Sequence, residues 1–308
     1  MSLLLISRNR DMTPFRDAIR RADPDIETEI WPDVASPQKV LFAVTWNHPK
    51  NVFHPYKNLK AVSSLGAGAD HLTGDASLPA HIPIARVVTP SLSGQMGDYI
   101  LMSVLNLLRR TQHYFYQQSH GTWNSLPTYP KEKLAIGILG LGELGISSAK
   151  KLIQAECKVS GWSRSKKELF GVETFREQEL EPFLKKTNIL VNLLPLTRET
   201  DGILNLQLFK KLKQPAFLIN AARGEHLVEE DLIYALDRKI LEHAILDVFE
   251  TEPLSESHPF WSRTSVTITP HIASVTDPDE TAELLIDNYK RVLSGQSLRF
   301  QVDKTRGY

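Results

Sequence analysis

The sequence predicts an α/β fold with two doubly wound parallel sheets, of the Rossmann-like and flavodoxin-like kind. Three observations predict it. Short apolar runs alternate with helical stretches along the chain. A G-x-G-x-x-G turn follows one of these runs at 140–145, and polar residues follow several later runs, where parallel strands would end. With 308 residues, 42% of them hydrophobic, the chain is long enough for two domains with separate cores.

Composition excludes several classes of protein. Lys plus Arg equals Asp plus Glu at 36 each, so no net charge attracts nucleic acid or an anionic membrane. The apolar run near the N-terminus is too short for a signal peptide, and no apolar stretch reaches the roughly 18 residues of a membrane span. The single cysteine, Cys157, excludes an internal disulfide and a thiolate metal cluster. We therefore expect a cytoplasmic protein without a metal.

The first ninety residues predict a small α/β unit. Apolar runs at 3–7, 40–44, 60–65 and 84–88 predict strands, and a helical patch lies at 14–22. Apolar residues then recur with helical spacing, which predicts a long helix over 99–110 that continues towards Gly121. The segment before it, 91–99, is predicted as a loop.

From residue 134 onward, apolar runs and helical stretches alternate regularly. Apolar runs predict six further strands, at 134–139, 158–162, 188–193, 216–220, 243–247 and 266–269. Asp277 predicts the N-cap of a last helix, with Pro278 at the first helical position and Glu280 at the third. Since a six-stranded sheet has no room for that helix, we assign it to the N-terminal unit. The predicted domains are therefore 1–96 with 277–308, and 97–276 between them.

The glycine turn predicts dinucleotide binding. Gly140 would make the tight turn, Gly142 would let the backbone approach a diphosphate, and Gly145 would let helix pack on strand. The turn follows an apolar strand and opens a helix, which is the context the motif requires. A merely structural glycine turn is the alternative.

The stretch WSRSKK, 162–167, predicts which dinucleotide binds. An acidic residue at the end of the second strand normally binds the adenine ribose, but here Ser163, Arg164, Ser165 and Lys166 occupy that place. A guanidinium can pair in bidentate fashion with a 2′-phosphate, which a carboxylate would repel. The expected cofactor is therefore NADP(H), with a solvated basic turn as the alternative.

The ends of the later strands carry the candidate catalytic residues. NAARGEH (220–226), DVFETEPL (247–254) and TPHIAS (269–274) bring Arg223, Glu252 and His271 to one edge of the sheet. Singly, each residue is ordinary. Together, beside a nucleotide site, they predict an acid–base constellation.

These motifs carry a resemblance to a known family. GILGLGELG (137–145), NAARG (220–224), LDVFETEPL (246–254), ITPHIA (268–273) and LGAGAD (65–70) resemble the motifs of D-isomer-specific 2-hydroxyacid dehydrogenases, in the same order. The resemblance covers nearly the whole chain. It implies NADPH-dependent reduction of small 2-keto acids such as glyoxylate and hydroxypyruvate, a cofactor domain inserted into a discontinuous substrate domain, and a homodimer.

The resemblance also implies a role for each site residue. His271 would be the acid–base, Glu252 its carboxylate partner, and Arg223 the substrate-binding arginine. The implied cofactor-binding residues are Gly140, Gly142, Glu143, Leu144, Gly145, Ser163, Arg164, Ser165, Lys166, Leu194, Pro195, Ala221, Ala222, Arg223, Asp247, His271 and Ala273. The implied substrate-binding residues are Trp46, Leu65, Gly66, Ala67, Gly68, Arg223 and His271. Trp46 fits core packing equally well.

Two alternative functions stay open at this point. One is an NAD-dependent dehydrogenase of other substrate range, such as phosphoglycerate, D-lactate or phenylpyruvate. The other is a dinucleotide-sensing corepressor that uses the same fold without catalysis.

Overall fold

The computed structural model describes all residues, Met1–Tyr308, and divides into two compact units. Unit 1 comprises Met1–Leu92 and Thr276–Tyr308, and unit 2 comprises Ser93–Val275. The predicted boundaries lie after residues 96 and 276, and the observed divisions fall after 92 and 275. None of the helices is long and apolar enough to cross a membrane. The predicted cytoplasmic location stays a prediction.

Unit 1 is built on a five-stranded sheet in the order β2-β1-β3-β4-β5, with every pairing parallel. Its strands are β1 (Ser2–Ser7), β2 (Glu27–Ile30), β3 (Val40–Trp46), β4 (Ala61–Ser64) and β5 (Ile84–Ala85). Its helices are α1 (Thr13–Ala22), α2 (Asp70–Thr73) and, near the C-terminus of the chain, α9 (Pro278–Ser294).

Both faces of this sheet are buried. Leu3 and Leu5 of β1 pack with α1 and α9, while Leu4 and Ile6 pack in a second cluster with the segment around Phe53. Alternate residues of a strand point to opposite faces, so a continuous apolar run fits a sheet covered on both sides. The predicted start of α9 is confirmed, because the Asp277 side chain accepts from the Glu280 N–H.

Unit 2 is built on a seven-stranded sheet in the order β12-β11-β10-β9-β6-β7-β8, again with every pairing parallel. Its strands are β6 (Ala135–Leu139), β7 (Lys158–Trp162), β8 (Val172–Phe175), β9 (Ile189–Asn192), β10 (Phe217–Asn220), β11 (His243–Leu246) and β12 (Val266–Ile268). Its main helices are α4 (Thr111–Ser119), α5 (Glu143–Gln154), α6 (Leu180–Lys186), α7 (Leu206–Phe209) and α8 (Glu229–Asp237), together with most of α3 (Pro90–Arg109).

Each of the ten predicted strands overlaps an observed one, but β2 and β8 are absent from the prediction. Both missed strands lie at the edge of their sheet. Their sequences, ETEI and VETF, are half polar, and several of their side chains are exposed. An edge strand is paired and covered less than a central one, so it carries no apolar run that a sequence pattern could detect.

The helix around residue 100 also differs from its prediction. It begins at Pro90, so the segment 91–99 is helical and the predicted loop there is wrong. Proline is favoured in the first turn of a helix, which explains this start. The helix ends at Arg109, because Arg110 adopts left-handed backbone angles (φ 59°), and α4 follows as a separate helix.

Candidate active site

The glycine turn joins β6 to α5, and its three glycines have different surroundings. Gly140 has φ 99°, and a Cβ there would lie 2.6 Å from the Leu193 carbonyl oxygen. A Cβ on Gly145 would lie 1.9 Å from the Gly140 carbonyl oxygen. Gly142, by contrast, has no atom within 4 Å of its Cβ position, directly before α5. The open space at a helix N-terminus is where a diphosphate would be bound.

The turn after β7 presents the predicted phosphate-binding residues to solvent. Ser163 is tied down by its N–H, which donates to the Phe175 carbonyl, and by its hydroxyl, which donates to the Ser165 carbonyl. Arg164 and Lys166 are exposed. A hydrogen bond from Thr197 lowers the pKa of Glu199, and the positive charges of Arg164 and Arg198 add to that effect. The residues after β9 therefore lie within electrostatic reach of Arg164, a neighbourhood that the sequence did not predict.

His271 and Glu252 form a direct pair. The His271 Nδ1 lies 2.8 Å from Glu252 Oε2, and Glu252 Oε1 accepts from the Phe249 N–H at 3.0 Å. Burial alone would raise the pKa of Glu252, but the hydrogen bond and charge of His271, the Phe249 N–H and the charge of Arg223 together hold it below its ordinary value. The ionised carboxylate accepts from Nδ1–H, which fixes the orientation of the ring and makes Nε2 the ring atom that could transfer a proton.

The loop that carries His271 is held by Asp247. His271 has left-handed backbone angles (φ 54°), a conformation that costs a non-glycine residue roughly 1 kcal/mol. The Asp247 carbonyl accepts from the His271 N–H, and its carboxylate accepts from the N–H groups of Ile272 and Ala273 at 2.9 and 2.8 Å. Burial raises the pKa of Asp247, while these hydrogen bonds oppose the shift. The bonds fix the position of the imidazole.

A second hydrogen-bond chain supports the same loop. The Thr269 hydroxyl donates to Asp247 Oδ1 at 2.6 Å and lies 2.7 Å from the Tyr99 hydroxyl, so Tyr99 donates to Thr269. Burial raises the pKa of Tyr99 to about 12, so its hydroxyl stays protonated as a donor. The sequence analysis missed this structural role of Asp247, for which the family resemblance implied only a contact to the cofactor. That contact stays a prediction.

Arg223 follows β10 and is positioned through its backbone. Its carbonyl accepts from Asn220 Nδ2 at 2.9 Å, and its Nη1 donates to the Ala222 carbonyl at 2.7 Å. A Cβ on the next residue, Gly224, would lie 1.9 Å from the carbonyl carbon of Phe249. The Arg223 loop therefore rests directly on the backbone that carries Glu252, which accounts for the effect of the Arg223 charge on the Glu252 pKa.

The remaining predicted cofactor residues lie on the same edge of the sheet. Leu194 and Pro195 follow β9, Ala221 and Ala222 follow β10, and Ala273 follows β12. They are largely buried, with backbone groups held by polar side chains beneath them. Parallel strands end on one side, so unit 2 brings its predicted catalytic and cofactor residues to one sheet edge.

The predicted substrate residues of unit 1 lie at the end of β3 and directly after β4. Trp46 packs on Gly66, since a Cβ on Gly66 would lie 2.8 Å from the Trp46 ring. Trp46 is half-buried against the core, with the Arg10 guanidinium 6.0 Å from its ring centre. The Gly66 N–H donates to Ser64 Oγ at 3.2 Å, a bond that competes with the predicted binding of substrate by Gly66. The roles of Leu65, Ala67 and Gly68 stay predictions.

Comparisons with known proteins identify the family of the chain. Residues 101–273 match the family model described as D-isomer specific 2-hydroxyacid dehydrogenase, NAD binding domain. A glyoxylate/hydroxypyruvate reductase A from Yersinia enterocolitica is 41% identical over 277 residues, 88% of this chain and 88% of that protein.

Two solved structures are similar over the full length. One is a D-isomer specific 2-hydroxyacid dehydrogenase from Xanthobacter autotrophicus Py2 in complex with NADPH and MES, with a TM-score of 0.94, 35% identity and coverage of 100% of this chain and 99% of that one. The other is an NADPH-dependent glyoxylate/hydroxypyruvate reductase from Sinorhizobium meliloti in complex with NADP and sulfate, with a TM-score of 0.92, 35% identity and coverage of 100% of both chains. The chain belongs to the D-isomer specific 2-hydroxyacid dehydrogenase family.

Proposed function

We propose that this protein reduces small 2-keto acids, with NADPH as the reductant, to D-2-hydroxy acids. The observation that carries the proposal is the His271–Glu252 pair, with the Arg223 charge beside it, at the same sheet edge as the glycine turn. An imidazole paired with an ionised carboxylate and flanked by a guanidinium can protonate and stabilise a developing alkoxide.

The residues of unit 2 fit a bound NADP(H). The space in front of Gly142 and the N-terminus of α5 suit its diphosphate, because unpaired N–H groups and the helix dipole favour negative charge there. Ser163, Arg164 and Lys166 would bind the 2′-phosphate. The similar Xanthobacter and Sinorhizobium proteins were crystallised with NADPH and NADP, which supports this assignment. When bound, the nicotinamide supplies the hydride.

The side chains of the site would bind the substrate and transfer the proton. Arg223 would bind and polarise the keto acid, and so stabilise negative charge on the ketone oxygen. His271 would deliver the proton at Nε2 to that oxygen, since its Nδ1 is held by Glu252. The Glu252 carboxylate would orient the ring and stabilise the imidazolium. We further propose that Trp46, Ala67 and Gly68 of unit 1 are substrate-binding residues.

Glyoxylate and hydroxypyruvate are the proposed substrates. The curated relatives at 41% and 38% identity are both named glyoxylate/hydroxypyruvate reductase A, the second of them, from Escherichia fergusonii, over 100% of both chains. The test is a panel of 2-keto acids, including pyruvate and phenylpyruvate, followed by loss of NADPH absorbance and repeated with NADH. Turnover of glyoxylate or hydroxypyruvate with NADPH is expected. Dinucleotide binding without turnover of any keto acid would overturn the proposal in favour of a sensor protein.

A separate variant tests the proposed preference for NADPH over NADH. Arg164→Ser removes a charge-assisted pair worth about 1.5–3 kcal/mol, so kcat/KM with NADPH should fall about 10- to 100-fold while that with NADH changes little. Lys167→Ser, which removes an exposed cation from the same turn, is the matched control. Equal effects of the two variants would contradict specific phosphate recognition by Arg164.

We also propose that the protein forms a homodimer through an aromatic face on α3, α4 and the segment after them. Helix α4 buries none of its residues. The exposed side chains of the face are Met102, Leu105, Tyr114, Phe115, Tyr116 and Trp123. Several large apolar side chains exposed within one part of the chain are typical of an interface. Sedimentation velocity should show a dimer that Phe115→Asp with Trp123→Asp converts to monomer, whereas Phe170→Asp, at an equally exposed aromatic elsewhere, leaves it intact.

A further inference from the structure

Three buried polar side chains lie directly beneath the candidate active site in unit 2. Asn192 ends β9, Asn220 ends β10, and His226 follows Arg223 by three residues. All three are fully buried, and none belongs to the predicted site. Buried polar groups are costly unless their hydrogen bonds are made, so their partners indicate what they hold. We refer to these three residues as the Asn–Asn–His cluster.

The hydrogen bonds inside the cluster define the protonation state of His226. Asn192 Nδ2 lies 3.0 Å from Asn220 Oδ1 and 2.9 Å from His226 Nδ1. An amide N–H group can only donate, so His226 Nδ1 is the unprotonated ring nitrogen. The proton therefore lies on Nε2, which faces the Pro195 carbonyl at 3.3 Å. His226 is a neutral imidazole with one nitrogen accepting and the other donating.

The cluster reaches the backbone of both loops that bear site residues. After β9, Asn192 Oδ1 accepts from the Leu194 N–H, and His226 Nε2 donates to Pro195. After β10, Asn220 Oδ1 accepts from the Ala222 N–H, and its Nδ2 donates to the Arg223 carbonyl at 2.9 Å. One connected set of side chains thus holds the proposed cofactor loop and the arginine loop together.

We propose that His226 is a positioning residue for the reaction, which holds Pro195 on one side and, through Asn192 and Asn220, Arg223 on the other. Because its side chain is fully buried, it acts through these neighbours and touches neither substrate nor cofactor. The inference rests on the proposed function, since it assigns His226 to the support of Arg223. A shift of a positioned group by about 1 Å can cost about 100-fold in rate.

The two hydrogen bonds of His226, from Asn192 to Nδ1 and from Nε2 to Pro195, can be removed separately. His226→Asn places an amide oxygen near the position of Nδ1, so it retains the acceptor for Asn192 and loses the donor to Pro195. His226→Gln places an amide nitrogen near the position of Nε2, so it retains the donor and loses the acceptor. His226→Asn should raise the Kd for NADPH with little change in KM for the keto acid. His226→Gln should raise KM for the keto acid and lower kcat with little change in the NADPH Kd.

The matched control lies at the other end of the same sheet. His243, at the start of β11, is a buried histidine whose Nε2 bonds to Thr267 Oγ1 at 2.8 Å. His226→Leu and His243→Leu should both lower Tm, but only His226→Leu should lower kcat/KM, by about 10- to 100-fold.

The possible outcomes distinguish the positioning role of His226 from the proposed function on which that role rests. A wild-type protein that reduces no 2-keto acid with either nucleotide would refute the proposed function. An active wild type, with equal kinetics in the two leucine variants, would overturn the role of His226 alone. The role would also be overturned if His226→Asn and His226→Gln changed the same kinetic constants to the same extent.

Discussion

The seven-stranded sheet of unit 2 has buried polar side chains at the amino ends of its strands and at the carboxyl ends, which we call its amino edge and its carboxyl edge. The side chains at these two edges hold different parts of the chain. At the amino ends of the strands, Asn188 bonds to the backbone of Ala135, Lys213 and Pro215. At the carboxyl ends, Asn192, four residues further along the chain, bonds within the Asn–Asn–His cluster and to Leu194. Both asparagines are fully buried, and the side-chain amide of each makes three hydrogen bonds.

Burial and hydrogen bonding therefore do not distinguish a structural polar group from one that supports a site. The difference lies in what the bonds reach. At the amino edge they fasten turns between strands and helices. At the carboxyl edge they fasten the loop after β9 and the loop that carries Arg223, and Asp247 fastens the loop that carries His271. Loops at the carboxyl ends of a parallel sheet bind ligands, so strain or motion there changes activity as well as stability. Variants at the two edges should separate these effects.

The largest effect is expected at the carboxyl edge, from His271→Gln. Loss of the proposed acid–base should lower kcat about 10²- to 10⁴-fold, because glutamine cannot transfer a proton. The Kd for NADPH, measured by fluorescence titration, should change far less than kcat, since the glycine turn and Arg164 are untouched. Turnover equal to wild type would remove His271 from its role.

A smaller but clear effect is expected from Gly224→Ala. The added methyl group would lie 1.9 Å from the Phe249 carbonyl carbon and 2.1 Å from the Glu250 nitrogen, so the Arg223 loop and the Glu252 loop must separate. We expect about 1–3 kcal/mol of destabilisation and a loss of kcat/KM of up to about 100-fold. Urea unfolding and steady-state kinetics on the same preparation measure both. Wild-type kinetics in this variant would show that the two loops need no fixed spacing.

The smallest effect on activity is expected at the amino edge, where His243 should act on stability alone. Burial lowers the pKa of His243 from 6.5 to about 4, with a further contribution from the charge of His113. As the pH falls, His243 therefore binds a proton in the unfolded state at a higher pH than in the folded state. The contribution of His243 to stability is complete above pH 6.5, and about 3 kcal/mol of it is lost as the pH falls to about 4.

Urea unfolding of wild type and His243→Gln at a series of pH values from 7 to 4 measures this contribution. The free energy of unfolding should fall less steeply in the variant, while its kcat/KM at pH 7 stays near the wild-type value. Parallel pH curves would contradict the assignment of this loss to His243.

Much of the fold could be predicted because buried parallel strands are apolar runs. The central strands β1, β3, β6 and β9 are all of this kind, whereas the half-polar edge strands β2 and β8 left no such signal. The break of the long helix at Arg110 was missed because left-handed backbone angles at an arginine have no sequence signature.

The site was predicted where chemistry is carried by distinctive residue types at strand ends. Arg223, Glu252 and His271 were found because a guanidinium, a carboxylate and an imidazole all follow strands and also match a family pattern. The Asn–Asn–His cluster was missed, since its partners are 28 and 34 residues apart in the chain. Asparagine after a strand otherwise indicates only a turn. The anchoring of His271 by Asp247 depends on a loop conformation that spacing does not encode.

The unequal surroundings of the three motif glycines have a practical consequence for work on this protein. Alanine at 140 or 145 would collide with the protein's own backbone, so either change would damage the unliganded fold. Alanine at 142 would meet nothing. That single methyl group would occupy the place of an incoming diphosphate and so yield an intact apoprotein, a reagent in which folding, assembly and keto-acid affinity could be measured with the coenzyme shut out.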